Sequence, residues 1–423
     1  MLRILHTADW HLGHTLHELT RDREHKAFLD WLLDQLEVHA VDALLIAGDI
    51  FDTANPPTRA MRAWFDFLRS ARERCPKLDI VVSGGNHDSP ARLEAANPVL
   101  DALGIHVVGV LPRDAQGDLD ADRLVVPIHD ASGDCAAWCM AVPFLRTADL
   151  PRDIELCPLD GGDILIAGVR AVYARALEIA RDKQQPGEAL VAMGHAYMVG
   201  GALSELSERQ VLGGNQHALP VDIFSEDTDY VALGHLHRAQ VVGERDEVRY
   251  SGSPIPLAID EDSYIHQVLL ADVAAGQPAV IQELHVPRSI EILRIPGKDG
   301  ADWATVSDAL SALPASKDNS TRDSWPYLEV RVKVDGPRPS LRREVEAIVS
   351  DKAVRLVKLM AMRDGDGSAL ASAVQARELS ELRPHEVLSR KWARDYGSTP
   401  PDPVLACFHE LVDELGQSVG GAA

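Results

Sequence analysis

Basic charge is in short supply: 42 Lys and Arg stand against 65 Asp and Glu, a formal net charge of -23 over 423 residues. Diffuse attraction to nucleic acid or to an anionic membrane is thereby excluded, and any polyanion has to be held locally. Aromatic residues make up only 5%, so no groove for stacking unpaired bases is evident. The five cysteines, Cys75, Cys135, Cys139, Cys157 and Cys407, form no CxxC pair. Odd in number, they close no disulfide framework and read as small packing residues in a reducing compartment. No run approaches the ~18 apolar residues of a membrane span. The opening MLRILHTADWH puts two histidines and Asp9 where a signal peptide would be apolar. These absences predict a cytoplasmic chain without a membrane partner. A GxxxxGK[ST] phosphate loop is also missing, so any ATP turnover must come from another protein.

With 46% hydrophobic and 25% charged residues, the balance is that of a globular protein of two or three domains. Five short apolar runs each end in a polar cluster: LRILHTADWH, DALLIAGDIFD, LDIVVSGGNHD, EALVAMGH and DYVALGHLH. Their length and branched residues predict buried strands. Helical stripes lie between the early ones, Phe28, Leu29, Leu32, Leu33 and Leu36 on one helix and Met61, Trp64, Phe65 and Leu68 on another. Ser89 and Pro90 read as the N-cap and first residue of a third. Strand and helix in alternation imply a parallel, layered α/β core, with ligand sites beyond the carboxyl ends of the strands. From about 238 to 286 strands follow one another without helices, which predicts a second, largely antiparallel sheet packed on the first. A smaller strand, helix, strand, helix, strand module follows from about 287 to 365. RDGDGSALAS, which begins at Arg363, then marks a linker bounded at 366–380, before two amphipathic helices within 381–418. Those helices either fold back on the chain or dock a partner.

The polar clusters carry the chemistry. In an extended strand residues i and i+2 share a side, so Asp9 and His11, and likewise His235 and His237, each form a two-toothed ligand. Asp49, Asn86 and His195 add three further donors beside glycines that let the backbone come close. Seven donors are too many for one tetrahedral ion and suit two octahedral ions with Asp49 as the bridge. Four imidazoles with three oxygen donors favour manganese, with iron or magnesium behind it. Two dications opposed by two carboxylates leave the pocket locally positive in a strongly acidic chain, which is how a phosphate would be held. Such a pair of ions can activate water for in-line attack on a phosphoester. His87, beside Asn86, is placed to protonate the departing oxygen, and Asp52 to fix its tautomer. His14 and His17 read as groups near the site rather than donors.

In this order DWH, GDIFD, GNHD, GH and GHLH resemble the five motifs of the calcineurin-like metallophosphoesterases. ADWHLG, GDIFDTANPP and GNHDSPARL are more closely similar to the SbcD family, the nuclease subunits of the SbcCD double-strand-break repair complex. The resemblance implies an α/β fold, a layered β-sandwich flanked by helices over residues 1–286. A smaller α/β capping domain would follow over 287–365, and LSELRPHEVLSRKW would lie in helices that dock an ATPase. It also implies that Asp9, His11, Asp49 and His237 hold one ion and Asp49, Asn86, His195 and His235 the other, with His87 acting on the transition state. Manganese-dependent exonuclease and endonuclease activity on DNA, a homodimer, an SMC-like ATPase partner of SbcC type and a nucleoid-associated, cytoplasmic location are implied too. Thr53 and Ala54 stand where the protein phosphatases' GDxxDRG motif has its arginine and glycine, which argues against that branch. Two alternatives stay open: a small-molecule phosphodiesterase or phosphatase of the same superfamily, and a non-catalytic scaffold that binds DNA ends. The arginines at 59, 62, 69, 72 and 74, and the cluster Arg338, Arg342, Arg343, Lys352, Arg355 and Lys358, are either solvated faces or contacts to DNA or a second copy.

Overall fold

The computed structural model of the chain describes residues 1–151, 163–199, 201, 218–316, 319–336 and 338–362. In chain order the first half-sandwich runs β1 (Leu2–Thr7), a small hairpin β2 (Thr15–Leu16) and β3 (Leu19–Thr20), α1 (Asp22–Val38), β4 (Ala43–Ala47), α2 (Thr58–Arg74) and β5 (Asp79–Ser83). It continues through α3 (Pro90–Leu93), α4 (Asn97–Leu100) and β6 (Ile105–Val108). Then come α5 (Ala121–Leu124), β7 (Val125–His129), β8 (Cys135–Ala141), α6 (Ile164–Lys183), β9 (Ala189–His195), β10 (Tyr230–Gly234), β11 (Gln240–Val242), β12 (Arg245–Tyr250), β13 (Gln267–Val273) and β14 (Val280–His285).

Alternation along the strands builds four layers. In β1 and β4, Leu5, Leu44 and Ile46 face the apolar stripes of α1 and α2. Their neighbours Ile4, Leu45 and Ala47 turn the other way and pack against Val191, Met193, Tyr230 and Ala232 of the second sheet. On that sheet's far face Leu190, Ala192, Val231 and Leu233 meet Val169, Val172, Tyr173 and Ala176 of α6. The order is therefore helix, sheet, sheet, helix, the flanked sandwich expected. Helix α6 starts where Asp163 accepts hydrogen bonds from the main-chain N–H of Leu165 and Ile166.

The sheets differ from expectation in one respect. The strands between 238 and 286 do not form a sheet of their own. β13 and β14 extend the first sheet, ordered β14-β13-β1-β4-β5-β6, whereas β11 and β12 complete the second, β11-β12-β10-β9-β8-β7. Only β13 and β14 add antiparallel pairs to the first sheet. In the second sheet β8, β9, β10 and β12 pair in parallel. Each parallel core sheet needs its exposed edge covered, and the antiparallel strands are shared out to do so.

α2 covers its apolar stripe within the chain. Trp64 is 1% exposed and packs edge-on against Trp10 and Phe51. The inward stripe is Ala60, Trp64, Phe67, Leu68 and Ala71, whereas Phe65 lies half-exposed on another side. Four of its arginines are engaged locally: Arg59 with Asp22, Arg69 with Glu73, Arg74 with Asp34 and Glu37, and Arg72 on the carbonyl of Leu78. Ser89 precedes Pro90 as expected, but its side chain makes no capping bond.

β15 (Ile292–Ile295), α7 (Trp303–Ser311), β16 (Tyr327–Lys333), α8 (Leu341–Val349) and β17 (Arg355–Met362) follow, with the sheet order β15-β16-β17. This is the strand and helix succession read from the sequence. The basic residues here are mostly paired as well, Arg338 with Glu344, Arg342 with Glu346 and Lys358 with Glu329. Lys352 donates to the carbonyl of Ser311 and Arg355 to that of Trp325. Contacts gather Met1–Val332 and Arg338–Ala361 into one compact unit. The linker at 366–380 and the helices of 381–418 lie outside the described residues. Among the described residues no helix is long and apolar enough to cross a membrane.

Candidate metal centre

Five chain segments leave β1, β4, β5, β9 and β10 at their carboxyl ends and bring the nine predicted residues to one place. Asp9 and His11 follow β1, and Asp49 follows β4 by two residues, with Asp52 further along the same loop. Asn86 and His87 come after β5, His195 closes β9, and His235 and His237 follow β10. The pairing within DWH and GHLH is not the strand alternation anticipated from spacing, because β1 ends at Thr7 and β10 at Gly234. Instead the backbone turns sharply: φ is +54° at Asp9, +47° at His11, +50° at Asp49 and +104° at His235. Four side-chain-bearing residues held in the left-handed region is strain of the kind that a functional site retains.

The donors form a single cluster, buried at Asp9, His11, Asp49, His195 and His237 and partly exposed at Asn86 and His235. Ligand atoms of Asp9, His11 and His237 lie within 4.8 Å of one another, as do those of Asp9, Asp49 and His195. Asp49 Oδ2 stands 3.6 Å from His11 Nε2 and 3.3 Å from His195 Nε2, between the two sides. Asn86 Oδ1 is 3.0 Å from His195 Nε2 and 3.1 Å from His235 Nδ1. His235 is fastened from behind as well, its main-chain N–H donating to both carboxylate oxygens of Asp9.

Three imidazoles share one design. His11 Nδ1 bonds Asp52 Oδ1 at 3.3 Å, His195 Nδ1 the carbonyl of Ala47 at 2.9 Å, and His237 Nδ1 the carboxylate of Glu261 at 2.9 Å. Each oxygen fixes the proton on Nδ1 and leaves the Nε2 lone pair free to face a cation. His11, Asp52 and His87 make a third close group. Asp52 does hold His87, but through its main-chain carbonyl, 2.8 Å from Nδ1, while its carboxylate serves His11. The His87 main-chain N–H donates to Asp49 Oδ1 at 2.9 Å.

Electrostatics follow from burial and crowding. Burial raises the carboxyl of Asp9 above its usual range. Burial works against Asp49 too, but His195 overcomes it and holds that carboxyl well below the usual range. The reciprocal effect carries His195 to about 9 despite its burial. Burial, then the nearby His195, lowers His235 to about 3. At His11 burial is outweighed by Asp52 and Asp49, and the ring is raised.

Two buried carboxylates, four imidazoles and an amide oxygen form a mixed oxygen and nitrogen set suited to divalent first-row ions. His11 Nε2, buried and without a hydrogen-bond partner, is the kind of orphaned atom that a cation would satisfy. The residues present therefore fit divalent metals.

Two supporting carboxylates escaped the sequence reading. Asp88, fully buried, accepts the main-chain N–H of Ile50, Phe51 and Gly85 at 3.2, 3.0 and 2.9 Å, tying the loop of Asp49 to that of Asn86. Burial and the charge of Asp49 push its carboxyl up to about 6. Its place in GGNHD could have drawn attention to it. Glu261 lies 24 residues beyond His237 in an irregular stretch and offers no such signal. His14 is partly buried near this group, and burial lowers it to about 4.

Comparison with known proteins agrees with this geometry. A family profile described as calcineurin-like phosphoesterase matches residues 2–239, and one described as type 5 capsule protein repressor C-terminal domain matches 286–396. The SbcD subunit of the nuclease SbcCD from Rhodobacter capsulatus is 38% identical over 390 residues, covering 92% of this chain and 94% of the relative. The Escherichia coli protein of the same name is 32% identical over 404 residues, with 93% of both chains covered. That of Bacillus subtilis is 33% identical over 336 residues, 78% of this chain and 79% of the other.

Proposed function

We propose, for a chain that belongs to the calcineurin-like phosphoesterases and within them to the SbcD nucleases, the residue roles and partners by which it cuts DNA. It is a metal-dependent nuclease, and the clustering of seven donors drawn from positions 9 to 237 is the observation that carries the assignment. In our reading Asp9, His11, Asp49 and His237 hold one divalent ion and Asp49, Asn86, His195 and His235 a second, manganese in both sites. Ions held there would supply Lewis acidity toward a phosphodiester and make a nearby water more acidic. His87 protonates the departing alkoxide, its ring steadied by the Asp52 carbonyl, which is the role a general acid needs. Asp52 adds a second service by orienting His11.

The finer organisation is proposed with these roles. Residues 1–286 are the nuclease domain, 287–365 a capping domain that contacts DNA, 366–380 a linker and 381–418 the helical segment that docks an SMC-like ATPase of SbcC type. The relatives are named as one subunit of SbcCD, which supports that partnership, and the absence of a phosphate loop in this chain is consistent with it. A homodimer working in the cytoplasm at the nucleoid completes the proposal. Trp64, being core, is not part of its interface.

The test uses the purified protein with end-labelled linear duplex, with and without manganese. Cleavage is expected only with the ion. His87→Ala is expected to lose it by at least 100-fold while metal content stays near that of the unchanged protein. A fully active variant removes the role of His87. Cleavage of small chromogenic esters with duplex left intact would favour a small-molecule phosphodiesterase, and end binding without any cleavage a scaffold.

A further inference from the structure

The segment after β12 makes a short helical turn, Ile259–Ser263, which is gripped from two directions. On its inner side Glu261, fully buried, holds His237 Nδ1 with Oε1 at 2.9 Å and accepts the main-chain N–H of Leu257 on Oε2 at 2.6 Å. On its outer side it is clamped by residues beyond 286. Arg294 of β15 donates from Nη1 to Asp262 Oδ2 at 3.0 Å and from Nη2 to the carbonyl of Ile259 at 3.2 Å. Arg288 donates to the carbonyl of Asp262 at 2.8 Å.

Arg294 is anchored in turn within its own module. Its Nε bonds Glu329 of β16. The other oxygen of that buried carboxylate takes Arg331 at 3.1 Å and Lys358 of β17 at 3.8 Å. The small module's sheet, the guanidinium, one helical turn and the ligand histidine are thus in unbroken contact. A charge-assisted bond at each step resists stretching more than a neutral one would.

We propose that Glu261 is a positioning residue for His237, and that the turn Ile259–Ser263 couples the placement of the small module to the strength of one metal site. The coupling rests on the reading of His237 as a ligand. An imidazole whose second nitrogen is tied to a carboxylate is oriented and made more basic, and loss of that partner weakens a metal site by roughly 10–100-fold. Displacing Arg294 pulls on Asp262 and Ile259, and so moves Glu261 against His237. The site of Asp9, His11 and His237 then loosens, whereas the donors Asn86, His195 and His235 are bonded to one another, to Asp9 and to the carbonyl of Ala47. Engagement of DNA by the small module would be felt at one ion and not at the other.

Manganese titration of the full chain, followed by the electron paramagnetic resonance signal of the free ion, counts bound ions and their affinities. The unchanged protein is expected to bind two. Glu261→Gln should weaken one ion by roughly 10–100-fold and leave the other as it was. Arg294→Gln and Asp262→Ala should weaken the same ion by about tenfold, the lower end of that range, while each still folds and melts cooperatively by circular dichroism. If Glu261→Gln does not fold, the two outer variants carry the test. Two ions bound by Arg294→Gln and Asp262→Ala with unchanged affinities would overturn the coupling. No binding by the unchanged protein would instead overturn the metal reading beneath it.

Discussion

Asp88 shows how much of the site depends on single residues that touch no substrate. Its carboxylate gathers three main-chain N–H groups from the two loops that carry Asp49 and Asn86. Asp88→Asn keeps the shape but turns an amide N–H toward those donors. We expect a loss on the order of 3 kcal/mol, read from urea denaturation, together with weaker manganese binding. A variant as stable as the parent would mean that another group holds the loops. Gly85 makes the same point by absence: a Cβ there would fall on the carboxylate and main-chain nitrogen of Asp49. Asn86, His87 and the glycines were legible because strands that end in such clusters serve few purposes besides holding a ligand. Glu261 was not, since its partner is chosen by a fold that brings residue 261 to residue 237.

Among the elements, α2 is an amphipathic helix whose stripe the sequence leaves without a named cover. Periodicity reveals that a stripe exists, but not what covers it. Here the cover is β1, β4 and α1 of the same chain, with Trp64 seated on Trp10. Trp64→Ala is expected to cost roughly 3–5 kcal/mol through the cavity it leaves. Thermal unfolding combined with light scattering measures the outcome. Dissociation of an oligomer without loss of stability would place Trp64 at an interface instead. The strands β11 to β14 illustrate a related limit. Four strands in succession were visible, whereas their division between two sheets follows from which edge each can reach.

For the molecule as a whole, the two sheets are joined by a buried polar contact as well as by apolar packing. His6 on β1 bonds the hydroxyl of Tyr230 at 2.9 Å and the carbonyl of Leu233 at 3.2 Å, both on β10. Burial lowers His6 to about 3, and His25, buried behind Trp10, also to about 3. Both are neutral when folded, whereas the unfolded chain protonates them near 6.5. The unfolded state then binds more protons, so their contribution is complete above 6.5 and declines as the pH falls toward 3. Each should remove ~1.4 kcal/mol of stability per pH unit through that window. His6→Gln, which cannot protonate, should flatten the dependence by one histidine's share in urea titrations between pH 6.5 and 4.5. An unchanged slope would show that His6 does not carry it.

The amino-acid sequence by itself determined the family and the strand-ending clusters that bring seven candidate donors and His87 together, because those residue types in that order answer to one chemistry. It also determined the succession of elements in the small module, since each one's periodicity is local. Tertiary structure alone decided that Asp52 serves His11 with its carboxylate and His87 with its carbonyl, that Glu261 and Asp88 support the site, and that Trp64 is core. Those outcomes are set by which groups meet across distant parts of the chain, and spacing along a sequence carries no record of that.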